Sequence, residues 1–315
     1  MTGAAILTLT LNPALDVSTH VARVITGEKL RCGPPTQNPG GGGLNVSRAI
    51  HALGGQSLAL VALGGAIGQQ VAGLLQAAGL QFQTLQSPGE TRQSLTVTET
   101  DSGQQYRFLL PGPDWQEADQ TQVFARLAEL ARPGGFAVIS GSQPPGVPAD
   151  FPSRLAAALP GMQVVLDTSG RALAQAVAQP IPGLAILRMD SAEAEALAAG
   201  KLDSAKDTAD FAAALVARHV AKAVLIARGS EGNVLVTKDL RRMASPPELK
   251  VVSAVGAGDS FVAGLVLMLS RAEPIDQALR YATACAAAAV TTPATELCRA
   301  EDVTRLLPQV SLAAV

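Results

Sequence analysis

The chain has 315 residues, 48% of them hydrophobic, enough to bury one large α/β core with a small appendage. Its formal net charge of -2 speaks against a nucleic-acid or polyanion binder. Its three cysteines (Cys32, Cys285, Cys298) and three histidines are scattered without ligand spacing, which excludes a disulfide framework or zinc site and fits a reducing cytoplasm.

Met1-Thr2-Gly3-Ala4 runs into an apolar segment with no basic n-region, so no signal peptide is predicted. Apolar runs such as 261–269 are too short to span a bilayer. Compact apolar runs bounded by Gly, Pro or polar turns predict strands over 6–11, 57–63, 136–140, 164–167, 185–187 and 223–227. Helical spacing lies between them. Val46, Ala49, Ile50 and Leu53 share one face, as do Val71, Leu74, Leu75 and Ala78. This alternation predicts a doubly wound, mostly parallel sheet flanked by helices, in one domain over 1–315.

Two insertions break the rhythm, at about 17–36 and 91–112. The second reads as a hairpin of 93–100 and 104–110, turning at Asp101-Ser102-Gly103. Such strands cannot easily join a buried parallel sheet, so a separate small β lid is expected. Its apolar face needs cover, and a second copy of the chain would supply it, giving a homodimer. Further strands are expected at 234–236 and 249–252, and an almost wholly helical remainder from Asp259.

Four features carry chemistry. In Val255-Gly256-Ala257-Gly258-Asp259, two glycines lead into a helix, whose first amides lack internal partners and form an anion site. An Asp there can take a proton from an attacking hydroxyl, although taken alone it more often caps its helix. In Gly40-Gly41-Gly42-Gly43-Leu44-Asn45, the glycines mark backbone touching a ligand or a flexible loop, and neither a Walker A loop nor a dinucleotide fingerprint. Asp16 follows the first strand, where it can grip two sugar hydroxyls or serve a turn. Lys29, Arg31, Arg92 and Arg107 fall in the insertions, as anion ligands or solvated charges.

Together these residues resemble the PfkB, or ribokinase-like, carbohydrate kinases over essentially the whole chain. Asn12-Pro13-Ala14-Leu15-Asp16 is similar to the sugar-phosphate branch. The stretches Gly27–Cys32, Thr91-Arg92-Gln93, Gln105–Phe108, Ile139–Ser142 with Pro144-Pro145-Gly146, and Glu296-Leu297-Cys298 resemble its minor-type 6-phosphofructokinases. The resemblance implies a ribokinase-like fold and ATP-dependent phosphorylation of fructose 6-phosphate, with 1-phosphofructokinase and tagatose-6-phosphate kinase as alternatives. A non-catalytic ligand-binding protein on the kinase fold is the reading from another class. Asp259 would be the base and Gly256, Ala257 and Gly258 the anion hole. Asp16, Gly40, Gly41 and Asn45 would hold the sugar, and Lys29, Arg92, Arg107 and Ser142 would serve it and its phosphate. ATP would lie near Arg188, Asp190, Ala227, Gly229 and Gly232, with Mg²⁺ near Glu193 and Asp190; a monovalent cation stays open.

The departures from the family pattern fall on the nucleotide side. The usual Lys-Pro-Asn-x-x-Glu is Arg188-Met189-Asp190-Ser191-Ala192-Glu193 here. A common Ser or Thr is Ala227, and Asn-x-Gly-Thr becomes Thr292-Pro293-Ala294-Thr295.

Overall fold

The computed structural model describes residues 3–293 and 295–315. Met1 and Thr2 of the start, and Ala294 of the 292–295 run, lie outside the described residues. Strand β1 (Ile6–Thr10) is followed by β2 (Ala14–Val21), a mostly exposed connection and β3 (Thr36–Gly40). Next come α1 (Gly42–Ala52), β4 (Leu58–Leu63), α2 (Gly65–Ala77), β5 (Phe82–Gln86) and the hairpin of β6 (Arg92–Glu99) and β7 (Gln105–Leu109). Alternation resumes with α3 (Glu117–Leu130), β8 (Phe136–Ser140), α4 (Phe151–Ala157), β9 (Gln163–Asp167) and α5 (Gly170–Ala178). It continues through β10 (Ile186–Asp190), α6 (Ser191–Ala198), α7 (Ala205–Ala217) and β11 (Ala223–Ala227). The chain ends with β12 (Asn233–Thr237), β13 (Arg241–Ser245), α8 (Ala257–Ser270), α9 (Ile275–Ala289), α10 (Ala300–Leu306) and β14 (Ser311–Ala314).

The large sheet runs β5-β4-β1-β8-β9-β10-β11-β12-β13-β14. Its first seven strands are mutually parallel and the last three join antiparallel. The near-continuous apolar strands follow from cover on both faces. Val138, Val165, Ile186 and Leu225 point into a core with α1, α8, α9 and α10. Ile139, Val164, Leu166 and Val224 point into a second core, with Val123, Phe151, Leu173 and Leu215 of the helices on the other side. The expected face of α1 is buried, at Val46, Ala49 and Ile50. Among the described residues, no helix is long and apolar enough to cross a membrane.

The second sheet has the order β3-β2-β6-β7 and contains the expected hairpin. Asp16 of β2 stands level with Asn38 of β3 and Ser94 of β6, so these three side chains share a face.

Two expectations need correction. No strand forms at 249–252; β13 pairs with β12 instead, and Pro246-Pro247 stop it, because proline donates nothing to a ladder. Val251 and Val252 are exposed. The helical tail ends in β14, an edge strand that is mostly exposed and bonds to β13 without apolar alternation.

Helix α8 packs closely on α9 at Gly264, where a Cβ would lie 2.6 Å from Cys285 Sγ and 3.1 Å from the Ala282 Cα. We predict that Gly264→Val destabilises the fold by about 1–3 kcal/mol through overpacking. Urea unfolding measures this, and an unchanged midpoint would show that the helices can separate freely.

Candidate active site

From β1 the chain winds through β4 to β5 on one side, then returns to β8 and proceeds through β9 to β11 on the other. The crevice outside the C-terminal ends of β1 and β8 is therefore the switch point, where such sheets bind ligands. Asn12 Nδ2, just beyond β1, donates to Ser142 Oγ beyond β8 at 3.1 Å, across this crevice. Helix α1 begins in it. Gly41 has φ 116°, a conformation open to glycine. A Cβ at Gly40 would run into the Asp16 carboxylate, and one at Gly42 into Ser140 Oγ. The glycine run is thus bare backbone packed against its neighbours, and the flexible-loop reading does not describe it.

Asp259 does not cap α8. The cap position is Gly256, at φ 78° with no side-chain bond, and Asp259 sits one turn inside. Its Oδ2 accepts a 2.9 Å hydrogen bond from Asn45 Nδ2. The Ser260 amide bonds back to the Gly256 carbonyl at 2.9 Å, so the amides of Gly258 and Asp259 precede that first intrahelical bond. Burial pushes the Asp259 carboxyl up to about 6, and the charge of Asp167 adds to the rise. The Asn45 bond and Arg188 pull it down, and Asp16 opposes them.

Asp16 lies at the root of the lid sheet. Its Oδ1 accepts from Ser94 Oγ at 2.8 Å. Burial raises its pKa, while the Ser94 bond and the charges of Arg48, Arg92 and Arg107 lower it. Arg92 is half-buried and donates from Nε and Nη2 to the Asn12 carbonyl and from Nη1 to that of Leu110. Arg107 is exposed on β7. Lys29 and Arg31 are exposed on the connection between β2 and β3. The fold thus gathers Asp16, Gly40, Gly41, Asn45, Arg92, Ser142 and Asp259 around one crevice, whereas Lys29 stands out in solvent.

Strands β9, β10 and β11 deliver the nucleotide-side candidates to the same edge of the sheet. Arg188 Nη1 pairs with Asp167 Oδ1 at 3.1 Å, and a Cβ at Gly258 would lie 2.9 Å from Arg188 Nη2. Burial works against the Arg188 charge, but Asp167, Asp259 and Glu193 outweigh it and raise the pKa. Asp190 and Glu193 form a capping box on α6: Asp190 Oδ1 accepts from the Glu193 amide and Glu193 Oε2 from the Asp190 amide, both at 2.9 Å. Ala227 ends β11, opposite Asn233. Gly229 opens the turn after it, and Gly232 packs against the Ala244 carbonyl.

Among the described residues, no cluster of three or more His, Cys, Asp or Glu could hold a metal unaided. Glu193 and Asp190 nevertheless suit a divalent ion, since the capping box engages one oxygen of each. Burial raises the Glu193 pKa, as do the Asp190 and Asp167 charges, while the Asp190 amide and Arg188 lower it. A hard cation completed by phosphate and water would relieve that repulsion. Asn12 Oδ1 and Gln143 Oε1 at the crevice, and Arg188 Nε, are buried polar atoms without partners.

Sequence reasoning overlooked two charged residues here. Asp167 ends an apolar strand, and a lone carboxylate at that edge is the available signal. Arg48 follows Asn45 by three residues on α1, where helical spacing puts both on one face.

Because the folded state holds the Asp259 proton more tightly than an ordinary aspartate with its pKa of 3.8, ionisation of Asp259 opposes folding. Its contribution to stability is full below 3.8 and lost as pH rises through about 6. Asp259→Asn should therefore raise Tm relative to wild type at about pH 8, with the gain shrinking towards about pH 4. A Tm difference independent of pH in thermal melts would contradict this.

The sequence pattern of the pfkB family carbohydrate kinases matches residues 10–302. An ATP-dependent 6-phosphofructokinase isozyme 2 from Mycobacterium tuberculosis is 39% identical over 302 residues, covering 95% of this chain and 88% of the relative. A 1-phosphofructokinase from Xanthomonas campestris is 33% identical over 309 residues, covering 96% and 94%. The crystal structure of phosphofructokinase-2 from Escherichia coli in complex with fructose 6-phosphate matches with a TM-score of 0.90 and 34% identity, covering 97% of this chain and 99% of that one. With both glycine turns inside so long a match, the chain belongs to the pfkB family of carbohydrate kinases.

Proposed function

We propose that this carbohydrate kinase transfers the γ-phosphoryl group of ATP to the 1-hydroxyl of fructose 6-phosphate. The reading rests on one observation above all: Asp259, bonded to Asn45 at 2.9 Å, stands at a helix N-terminus beside the sheet's switch point. A carboxyl raised to about 6 is mostly ionised at neutral pH yet basic enough to take a hydroxyl proton. The proton passes to Asp259 as the hydroxyl oxygen bonds to phosphorus, and ADP leaves with the electrons of the broken P–O bond. Amides of Gly256, Ala257 and Gly258, with Arg188 below them, face the charge on the transferring group. Asp16, Asn45 and the bare backbone of Gly40 and Gly41 hold the sugar hydroxyls. Arg92, Arg107, Lys29 and Ser142 serve its 6-phosphate. ATP lies along Ala227, Gly229 and Gly232, and Asp190 and Glu193 hold the Mg²⁺ that comes with it and offsets phosphate charge.

The lid supports a homodimer. Leu95, Phe108, Leu109 and Leu110 are 38%, 53%, 61% and 53% exposed on β6, β7 and the following loop, and Ile25 and Leu30 are exposed on the connection between β2 and β3. An apolar edge strand of this kind calls for cover, and a second copy brings a matching surface.

Asp259→Asn should keep the fold but lower kcat by about two to four orders of magnitude, the range for a lost general base. Wild-type turnover in that variant would remove Asp259 from the mechanism. In coupled assays with ATP, kcat/KM should be highest for fructose 6-phosphate; a preference for fructose 1-phosphate or tagatose 6-phosphate would reassign the substrate. Sedimentation should show a dimer that Phe108→Lys weakens, and a monomeric wild type would refute the lid interface.

A further inference from the structure

We infer that Arg48 is a positioning residue that fixes which end of the Asn45 amide faces Asp259 and ties that orientation to the loop carrying Thr295. The inference rests on the proposed role of Asp259 as base. Arg48 Nη1 donates to Asn45 Oδ1 at 3.0 Å, and Asn45 Nδ2 donates to Asp259 Oδ2 at 2.9 Å. The two ends of an amide are nearly alike in shape, so only their partners decide the orientation. Flipped, the amide would aim its NH₂ at a guanidinium and its oxygen at a carboxylate, two repulsive contacts in place of two charge-assisted bonds. Arg48 thus keeps an N–H on the base.

The same guanidinium reaches further. Nη1 also donates to the Pro39 carbonyl at 2.7 Å, and Nη2 to Asn38 Oδ1 at 3.4 Å. Asn38 Nδ2 donates to Thr295 Oγ1 at 2.9 Å. One planar fork therefore orients two amides, one towards the base and one towards the 295 loop. That loop adjoins the α8 turn, since a Cβ at Gly256 would lie 2.7 Å from Leu297 Cδ2. The chain Thr295–Asn38–Arg48–Asn45–Asp259 joins the root of the lid, the 295 loop and the base. Burial lowers the Arg48 pKa, and the charges of Asp16 and Asp259 offset part of that.

Asp259 is faced by Asp167 from β9, Arg188 from β10, Asp16 from β2, and Asn45 and Arg48 from α1. Removing Arg48 takes away a positive charge and frees Asn45 to turn, and both changes disfavour the Asp259 anion. Activity needs that anion, so the acid limb of kcat/KM must move to higher pH. A surface cleft of about 650 Å³ reaches Arg48 past His51, Leu80, Cys298 and Arg299, which gives small cations a path to its place.

The test compares wild type with Arg48→Ala and Arg48→Lys, using ATP and fructose 6-phosphate across pH. In Arg48→Ala we expect the acid limb to rise by roughly one pH unit and plateau kcat to fall about tenfold to a hundredfold, as for a lost charge-assisted hydrogen bond. Millimolar guanidinium should restore part of the turnover in Arg48→Ala and none in wild type. Arg48→Lys guards against a folding failure: it keeps the charge but not the fork, so its limb should move less while kcat stays below wild type. Unmoved limbs in both variants, or no recovery with guanidinium in a folded Arg48→Ala, would overturn the inference. If wild type itself fails to phosphorylate fructose 6-phosphate, the functional reading falls instead.

Discussion

The site depends on how closely the start of α1 approaches the ends of β1 and β8. Side chains at 40, 42 and 43 would strike the Asp16 carboxylate, Ser140 Oγ and the Leu9 carbonyl respectively. Only bare backbone fits there. Four glycines cost conformational entropy, and the return is a helix start seated closer to the strand ends than side chains there would allow. Everything on that helix is placed by this one approach. Asn45 reaches Asp259 because α1 starts low, and Asp16 meets the Gly40 backbone for the same reason.

That depth brings like charges together. Burial raises the pKa values of Asp16, Asp259 and Glu193; the Asp167 charge adds to the rise at Asp259 and Glu193, and the Asp16 charge to that at Asp259. Arg48, Arg92 and Arg188 are the counterweights. The balance leaves Asp259 at about 6, rather than at the strongly raised value an unsupported buried carboxylate would reach. The cations do unequal work. Arg188 is committed to Asp167, Arg48 to amides and a carbonyl, and Arg92 to two carbonyls. Lys29, Arg31 and Arg107 are exposed.

Legibility followed locality. Strands buried on both faces announced themselves as apolar runs, so β1, β4, β8, β9 and β11 lie where the sequence put them, within a residue. The hairpin of β6 and β7 was readable from its turn and alternation. Strands held by backbone pairing alone were not: β13 and β14 are short, partly exposed and devoid of periodic signal, and 249–252 looked apolar enough to mislead. In the site, glycine turns and Asp16 could be read because their residue types are unusual at those positions. Asp167 could not, because its partner Arg188 stands 21 residues away; Arg48 lies only three residues after Asn45, but what makes it matter is the Asn45 bond to the distant Asp259, which only the fold supplies.

The departures from the family pattern around 188–193 look different once their contacts are known. Asp190 caps α6 through its carboxylate, and an Asn there would cap nearly as well, so the exchange keeps the local structure and changes only charge. The added negative charge falls beside Glu193 and helps raise its pKa. Arg188 carries a fork where the family usually has an ammonium, and one arm of that fork is held by Asp167 while the other lies against Gly258. A compact ammonium could not serve both at once. The two exchanges therefore act on the same quantity from opposite sides. One deepens the negative field at the end of β10, and the other anchors a cation between that field and the helix start where Asp259 sits.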